Sequence, residues 1–136
     1  PNFTIRILND VGNATQLSAF VINGSTGIIY DFKGSIRSAP INNQTSGYTL
    51  VLADLGKTIS ITTGGVTVPN TVFSAGDMVT MYNNSASSQT ITQGGSVTMY
   101  LAGSATTGNR TLAQRGVATA LCVAANTFVI SGAGLT

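Results

Sequence analysis

The sequence has 136 residues, which is enough for one domain or for one compact domain with an additional arm. Its formal net charge is +2 and only 7% of its residues are charged, whereas about a quarter are charged in ordinary soluble domains. His and Glu are absent, and four Asp and one Cys are present, so the chain lacks most groups that enzymes use for proton transfer, nucleophilic attack or metal binding.

Strands are predicted along most of the chain, because short runs of β-branched residues alternate with Thr, Ser or Asn. This period of two is typical of strands with one buried face. The predicted strands are Phe3–Leu8, Ala19–Ile22, Ile28–Phe32, Tyr48–Ala53, Thr58–Thr62, Val66–Val68, Met78–Tyr82, Gln89–Thr92, Val97–Leu101, Val117–Val123 and Thr127–Ser131.

Tight turns are predicted between these strands, where Gly and Asn tolerate positive φ angles. The turn sequences are Asn23-Gly24, Gly64-Gly65, Ala75-Gly76-Asp77, Asn83-Asn84, Gly94-Gly95 and Ala125-Asn126. The best helical segment, Thr111–Arg115, stops at Gly116 and is too short to be stable alone. We therefore expect an all-β fold: a compact β-sandwich, or a β-barrel or roll, of short antiparallel strands.

Two segments of the predicted strand region are similar to each other. Ile59–Val68 returns as Thr90–Met99, and each would form a strand, a Gly-Gly corner and a second strand. Two copies are too few for a solenoid, and chance similarity between Thr- and Gly-rich strands explains the pattern equally well.

A polar stretch, Pro40–Gly47, predicts a division of the chain. Residues 1–47 would form an N-terminal β segment with docking as its expected role, and residues 48–136 would form a Thr/Gly/Val-rich β-module. A polar run of this length is also an ordinary surface connection, so a simple loop is the alternative.

Few side chains are placed to carry chemistry. The four acids are Asp10, Asp31, Asp54 and Asp77. Their surroundings are more typical of turns than of a catalytic carboxyl pair. Neither Lys33 nor Lys57 stands in the Ser-x-x-Lys spacing of one class of hydrolases, and no Ser-His-Asp triad is available. Cys122 lies in an apolar run and is expected to be buried. We expect no catalytic, cofactor-binding or metal-binding residues, and no enzyme activity.

The sequence also argues against nucleic acid and membrane as partners. Its six basic residues are spread without a cluster, whereas a nucleic-acid backbone is bound by a concentrated basic patch. No run approaches the ~20 apolar residues that span a bilayer. The first six residues lack the pattern of a signal peptide, so we expect a soluble protein without a secretory signal.

Short motifs follow one another in a distinctive order from Tyr48 onward. They are Tyr48–Ile59, Val66–Asn70, Phe73–Asp77, Ile91–Gly94, Val97–Gly103 and Ala118–Gly132. Over about two thirds of the chain, this order resembles a module of tailed-bacteriophage virion structural proteins, particularly small head-decoration proteins and the ends of tail fibres. The family often has Trp in its last strand, where this sequence has Phe128. Residues 1–47 lie outside the resemblance.

The resemblance implies a noncatalytic β-domain that associates as a homotrimer and resides in the virion after assembly in the bacterial cytoplasm. The first functional hypothesis is a capsid decoration or cement protein on the outer head surface, whose partner is the major capsid protein or another virion component. The alternative is a receptor-binding tail fibre or knob that contacts host surface glycans through loops such as Gly103–Asn109. A third hypothesis, a glycan depolymerase that uses Asp residues, belongs to the enzyme class.

Overall fold

The computed structural model describes residues 3–7, 17–22, 24, 29–31, 34–35 and 38–136. The chain divides into two compact units, Pro1–Pro40 and Ile41–Thr136. This division falls before the end of the polar stretch that predicts a boundary at residue 47. The reason is that Ile41–Gln44 forms a strand of the larger unit's sheet.

The smaller unit contains a four-stranded antiparallel sheet whose strands lie in chain order. Its strands are β1 (Phe3–Ile7), β2 (Leu17–Ile22), β3 (Ile29–Asp31) and β4 (Gly34–Ser35). The first three coincide with predicted strands. The two-residue strand β4 was not predicted, because two residues give no alternation to detect.

The larger unit contains a nine-stranded, barrel-like sheet and a short 3-10 helix, Leu52–Asp54. The all-β prediction is confirmed. The strands are β5 (Ile41–Gln44), β6 (Tyr48–Thr49), β7 (Thr58–Ile61), β8 (Val66–Val68), β9 (Met78–Asn83), β10 (Gln89–Gln93), β11 (Thr98–Leu101), β12 (Arg110–Ala124) and β13 (Thr127–Leu135).

Two parallel stacks of three strands form most of this sheet. In the first stack, β5, β7 and β9 lie side by side, so that Ile41 pairs with Thr58 and Thr58 pairs with Thr80. In the second stack, β6, β8 and β10 do the same. Strands of the two stacks alternate along the chain, so every two consecutive strands add one strand to each stack.

The long strand β12 joins the two stacks. Its first residues pair antiparallel with β10, and Val117–Leu121 pairs antiparallel with β9. The sheet order is therefore β5-β7-β9-β12-β10-β8-β6, with β13 and β11 added beside β12. The two ends of this order, β5 and β6, are consecutive in the chain, and the sheet is nearly closed.

Two features of the predicted strands need correction. The sheet is mixed rather than purely antiparallel, because β5–β7, β7–β9, β6–β8, β8–β10 and β11–β13 are parallel pairs. Alternating strands look the same in either direction, so the sequence pattern could not distinguish these pairings. The predicted strand Tyr48–Ala53 is shorter, ending at Thr49, because the 3-10 helix replaces its second half.

The segment Thr111–Arg115, the best helical candidate, lies inside β12. A register shift between Leu112 and Val117 interrupts its pairing with β13, and Arg115 has a φ angle of 60° there. Such a bulge bends a strand without ending it. The bulge allows one strand to pair first with β10 and then with β9.

The inward-facing side chains form one apolar core. Phe73 and Phe128 meet edge to face in it, with ring centroids 6.1 Å apart. The completely buried aliphatic side chains come from both stacks and from the strands that join them: Ile59, Val68, Met81, Met99, Leu112 and Ile130. The alternation of side chains along each strand thus places its apolar face inside the barrel.

The two Gly-Gly corners of the internal similarity are not equivalent in the structure. Gly64 and Gly65 have φ angles of 84° and 72°, and a Cβ on Gly65 would lie 2.3 Å from the Thr90 carbonyl oxygen. The second corner achieves its turn with a positive φ at Ser96 instead. The two similar sequence segments therefore form two different turns and are not a structural repeat.

Candidate docking face

Strand β9 has two distinct faces. Val79 and Met81 point into the core and are buried, whereas Met78 is 54% exposed. Thr80 and Tyr82 alternate with the buried residues, so they share the outward face with Met78. This face begins with a large apolar side chain where an ordinary exposed strand would have a polar one.

Strand β12 continues the same outward face. Val117 is 43% exposed and Val123 is 44% exposed, while the intervening Ala118, Ala120 and Cys122 are buried. The antiparallel register pairs Val117 with Tyr82, Thr119 with Thr80, and Leu121 with Met78. Because paired residues lie on the same side of a sheet, the outward faces of β9 and β12 are continuous.

A row of apolar and aromatic side chains crosses four strands of this sheet. Leu121 pairs with Val129 of β13, and Val129 pairs with Tyr100 of β11. Together with Met78 they form one line across β11, β13, β12 and β9. We call the outward surface of these strands the β9–β12–β13 face, and its centre contains no charged residue.

The two hydroxyl groups at the centre of the face bind each other. Thr80 Oγ1 and Thr119 Oγ1 are 3.1 Å apart, a hydrogen-bond distance. A polar group costs less to bury when it already has a partner. The centre of the face can therefore be covered by another protein at a lower cost than two free hydroxyls would impose.

A cation lies at one end of the face. At the β12 bulge, Arg115 Nη1 donates hydrogen bonds to the Tyr82 hydroxyl at 3.2 Å and to Asn84 Oδ1 at 2.6 Å. Both acceptors are neutral, so these bonds orient the guanidinium group without cancelling its charge.

An acid lies at the turn before β9. Asp77 directly precedes Met78, and its Oδ2 accepts a hydrogen bond of 2.8 Å from the Ser74 backbone N–H. Asp77 thus supports the turn that leads into β9, as expected for an Asp beside Gly.

Asp54 closes the seam between β5 and β6. It is 1% exposed, and it accepts hydrogen bonds from Asn42 Nδ2 at 2.9 Å, from the Tyr48 hydroxyl at 3.0 Å and from the Val51 backbone N–H at 2.9 Å. Asn42 is on β5 and Tyr48 is on β6. One carboxylate therefore links both end strands to the 3-10 helix, which is a structural role.

The same contacts affect the Tyr48 hydroxyl. Burial raises the pKa of Tyr48 above its ordinary value, and the hydrogen bond to Asp54 raises this pKa further, because a phenolate would lie against a carboxylate. The Tyr48 hydroxyl is thus held in the neutral form in which it donates to Asp54.

The remaining residues that the sequence singled out are not brought together. Asp10 and Lys33 lie outside the described residues. Asp31 is in β3 of the smaller unit, and Lys57 immediately precedes β7. Within the described part of the chain, no three of His, Cys, Asp and Glu are close enough together to hold a metal ion.

Cys122 is buried, as predicted. Its side chain is completely buried in the core, and Sγ donates to the Ala124 carbonyl oxygen at 3.2 Å. Burial raises the pKa of the Cys122 thiol, and the nearby Asp77 charge adds to this effect. Both effects lower the fraction of reactive thiolate.

We expect Cys122 to be unreactive in the folded protein. At neutral pH a thiol reagent such as Ellman's reagent should label it at least ~100-fold more slowly than in denaturant, because labelling requires opening of the β12–β13 hairpin. The rate is measured by absorbance with and without guanidinium. Equal rates in the two conditions would contradict the buried position.

The loop Gly103–Asn109 is exposed but well held. The Arg110 side chain below it donates a hydrogen bond from Nη2 to the Thr106 carbonyl oxygen at 2.7 Å, and Gln93 Oε1 accepts from the Gly108 N–H at 3.0 Å. Arg110 is 9% exposed, and its Nε has no hydrogen-bond partner. The loop is therefore fixed from beneath by the side chains of two strands.

The β9–β12–β13 face was not predicted from the sequence. The run Val117–Ala125 contains one polar residue, Thr119, and this was the available signal. A strand with a single buried face would alternate with polar residues, so a continuous apolar run indicates a strand that is covered on both sides.

No protein-family model, curated protein sequence or solved structure matches this chain. Among the described residues, no helix is both long enough and apolar enough to cross a membrane.

Proposed function

We propose that this chain is a noncatalytic structural protein of a bacteriophage virion, a decoration or cement protein that binds the outer head surface and stabilises the shell. The carrying observation is the β9–β12–β13 face, whose centre contains no charged residue and on which Met78, Val117 and Val123 are each more than two-fifths exposed. Contiguous exposed apolar surface is typical of sites where another protein binds. The order of motifs from Tyr48 onward supports a virion as the setting.

The proposed partners are the major capsid protein or another virion component, together with further copies of the chain in a homotrimer. The composition of the larger unit supports close packing of several copies. This unit has few charged residues, and two of them, Asp54 and Arg110, are buried. Copies of a weakly charged surface approach one another with little repulsion.

The proposal is tested on purified particles that contain this chain. Heads and tails are separated and analysed by mass spectrometry, and intact particles are imaged. We expect the chain on heads, in copy numbers set by capsid symmetry. Heads without the chain should break at a lower temperature, and added protein should restore their stability. Presence on tails and absence from heads would reject the decoration role.

A second candidate is the receptor-binding fibre or knob, which the fixed loop Gly103–Asn109 favours. A loop held by Arg110 and Gln93 loses little conformational freedom when it binds a ligand. Under this proposal the free protein binds host cells and blocks adsorption of the phage. Replacing the exposed Thr107 by Trp should abolish the blocking, whereas Thr111→Trp, outside the loop, should not. Failure of the wild-type protein to bind cells would reject it.

A further inference from the structure

Arg110 is a buried cation that forms no ion pair with the described residues. Nη1 donates to the Asn109 carbonyl oxygen, and Nη2 donates to the carbonyl oxygen and to Oγ1 of Thr106. All three acceptors are neutral. An arginine does not lose its proton in a protein, so burial cannot remove this charge. A buried charge without a counter-ion destabilises the fold.

Two N–H groups of Arg110 have no acceptor in the described part of the chain. A guanidinium group has five N–H donors, and the three bonds above use one hydrogen of Nη1 and both hydrogens of Nη2. The Nε–H is buried and has no partner, and the second hydrogen of Nη1 has none either. Buried donors are nearly always paired, so an acceptor from solution is expected here.

The position of Arg110 in β12 would ordinarily be apolar. Thr111 is exposed and Leu112 is completely buried, so Arg110 shares the inward side of the strand with Leu112. Arg110 also pairs with Ile91 of β10, which is buried. An inward position is thus occupied by a permanent charge, directly below the loop Gly103–Asn109.

The Thr106 hydroxyl adds a further donor beside the guanidinium group. Ser104 Oγ accepts from the Thr106 backbone N–H at 3.1 Å and donates to Thr106 Oγ1 at 3.0 Å. Thr106 Oγ1 also lies 3.4 Å from Arg110 Nη2. In both side-chain contacts Oγ1 is the acceptor, so its own hydrogen is left for an acceptor outside the described residues. A hydroxyl donor and a cation without a counter-ion therefore lie side by side.

We propose that Arg110 and the Thr106 hydroxyl bind an oxyanion, a carboxylate, phosphate or sulfate group, at the base of the loop Gly103–Asn109. An oxyanion accepts several hydrogen bonds at once and supplies the missing negative charge. A water molecule would accept the hydrogen bonds but would leave the charge uncompensated.

The loop can admit such a group while it stays attached to the sheet. Gly103 and Gly108 stand near its two ends with φ angles of 76° and 117°, and the space beside both is open, so the backbone can adjust there. The Thr106 carbonyl oxygen also accepts from the Leu101 N–H at 3.1 Å. The guanidinium group can therefore turn towards the anion without releasing the loop.

The oxyanion site does not depend on the decoration role proposed above. For the receptor-binding candidate it narrows the ligand to a glycan with an acidic group, and this step rests on that candidate. A chain that binds oxyanions but not host cells would reject the receptor-binding candidate and keep the site.

The first test follows the Arg110 Nε–H by ¹⁵N NMR of the full chain. The sequence has few arginines, and the Nε–H signal that disappears in Arg110→Lys belongs to Arg110. Sodium phosphate, sulfate or acetate replaces sodium chloride at constant ionic strength. The signal should shift saturably, with half of the shift reached at about 5 mM of the preferred anion. The anion that acts at the lowest concentration identifies the group. Glucuronate should act like acetate, whereas neutral glucose should have no effect.

The second test removes the hydroxyl donor. Thr106→Ala should weaken anion binding about 5-fold in the same titration, because one hydrogen bond to the anion is lost. Thr107→Ala is the matched control. Thr107 is the next residue, it is also exposed, and its hydroxyl makes no hydrogen bond within the described residues. Its replacement should leave the affinity unchanged.

The third test removes the charge. About 50 mM sodium sulfate should raise the melting temperature of the wild type by about 3 °C relative to sodium chloride of equal ionic strength. Arg110→Gln should lose this difference. Arg115→Gln, which removes an exposed cation of the same strand, should keep it. If Arg110→Gln does not fold, the Nε–H titration and the Thr106→Ala and Thr107→Ala pair decide the question.

Three results would overturn the proposal. One is an Arg110 Nε–H signal that no oxyanion shifts, which would indicate a buried water only. Another is equal anion affinity in Thr106→Ala and Thr107→Ala. The third is a folded Arg110→Gln variant that responds to sulfate as the wild type does.

Discussion

Asn83→Asp is expected to lower the unfolding free energy by about 4 kcal/mol, the largest effect of any single change considered. Asn83 is completely buried, and its Nδ2 donates to the carbonyl oxygens of Ser87, Leu112 and Ala113 at 2.8, 2.9 and 3.0 Å. A carboxylate has the same shape but donates no hydrogen. It would place a negative charge against three acceptors.

The control for Asn83→Asp is Asn84→Asp. Asn84 is the next residue, it is exposed, and its Oδ1 already accepts from Arg115. The same chemical change there should alter stability by less than about 0.5 kcal/mol. Urea unfolding of both variants, followed by circular dichroism, gives the comparison. Equal losses would show that burial of Asn83 is not the cause.

Stability of the Asn83→Asp variant should also depend on pH. Burial raises the pKa of the introduced carboxyl in the folded state above its unfolded value of about 3.9. Between these two pKa values the folded state holds more protons, so the unfolding free energy falls as pH rises through this window. The penalty is therefore relieved in acid. The wild-type amide shows no such transition.

Asp54→Ala is expected to lower the unfolding free energy by about 3 kcal/mol, because three donors lose their acceptor at the seam. They belong to Asn42 on β5, Tyr48 on β6 and Val51 before the 3-10 helix. Asp54→Asn should cost less, since its amide oxygen can keep two of these bonds. In the Asp54→Ala variant, amide hydrogen exchange should be accelerated relative to wild type more strongly in β5 and β6 than in β12.

Asp77→Ala is the control for this second prediction. Asp77 also accepts a backbone hydrogen bond in a turn, from Ser74, but it is only partly buried and binds a single donor. Its loss should cost within about 1 kcal/mol. If Asp77→Ala and Asp54→Ala are equally destabilising, the seam is not the source of the Asp54 effect.

The Asp54 contact also predicts sensitivity to alkali. The folded pKa of Tyr48 is raised above its unfolded value of about 10, so the stabilisation is complete below pH 10 and is lost as pH rises towards the folded pKa. Tyr48→Phe removes this pH dependence together with the hydrogen bond.

Much of the fold could be predicted from local sequence. Alternation located Val66–Val68 and Met78–Tyr82 almost to the residue, since a half-buried strand has no other simple pattern. Pair direction could not be predicted, because it depends on which distant strand becomes the neighbour. The strand β5 was not predicted, because its inner side is polar. In Ile41–Gln44 the polar residues Asn42 and Gln44 pair with the buried Ile59 and Ile61 of β7, so β5 lacks the apolar alternation of the other strands.

The functional surface was less predictable than the core. The absence of His and Glu led to the expectation of no catalytic residues, and it could not reveal that Asp54 closes a seam. That role needs Asn42 and Tyr48 from two strands with no pairing between them. The β9–β12–β13 face likewise depends on the register of β9 against β12, which no short segment encodes.

The position of β12 has a consequence for how the larger unit folds. Until β12 is in place, both parallel stacks have an unpaired edge, at β9 and at β10. Neither stack therefore gains its last partner before a chain segment distant in sequence arrives, and loop closure must precede the stabilising contacts. We infer that this unit folds slowly and in a single cooperative step. In that step β12 pairs with both β9 and β10 and joins the two stacks into one sheet.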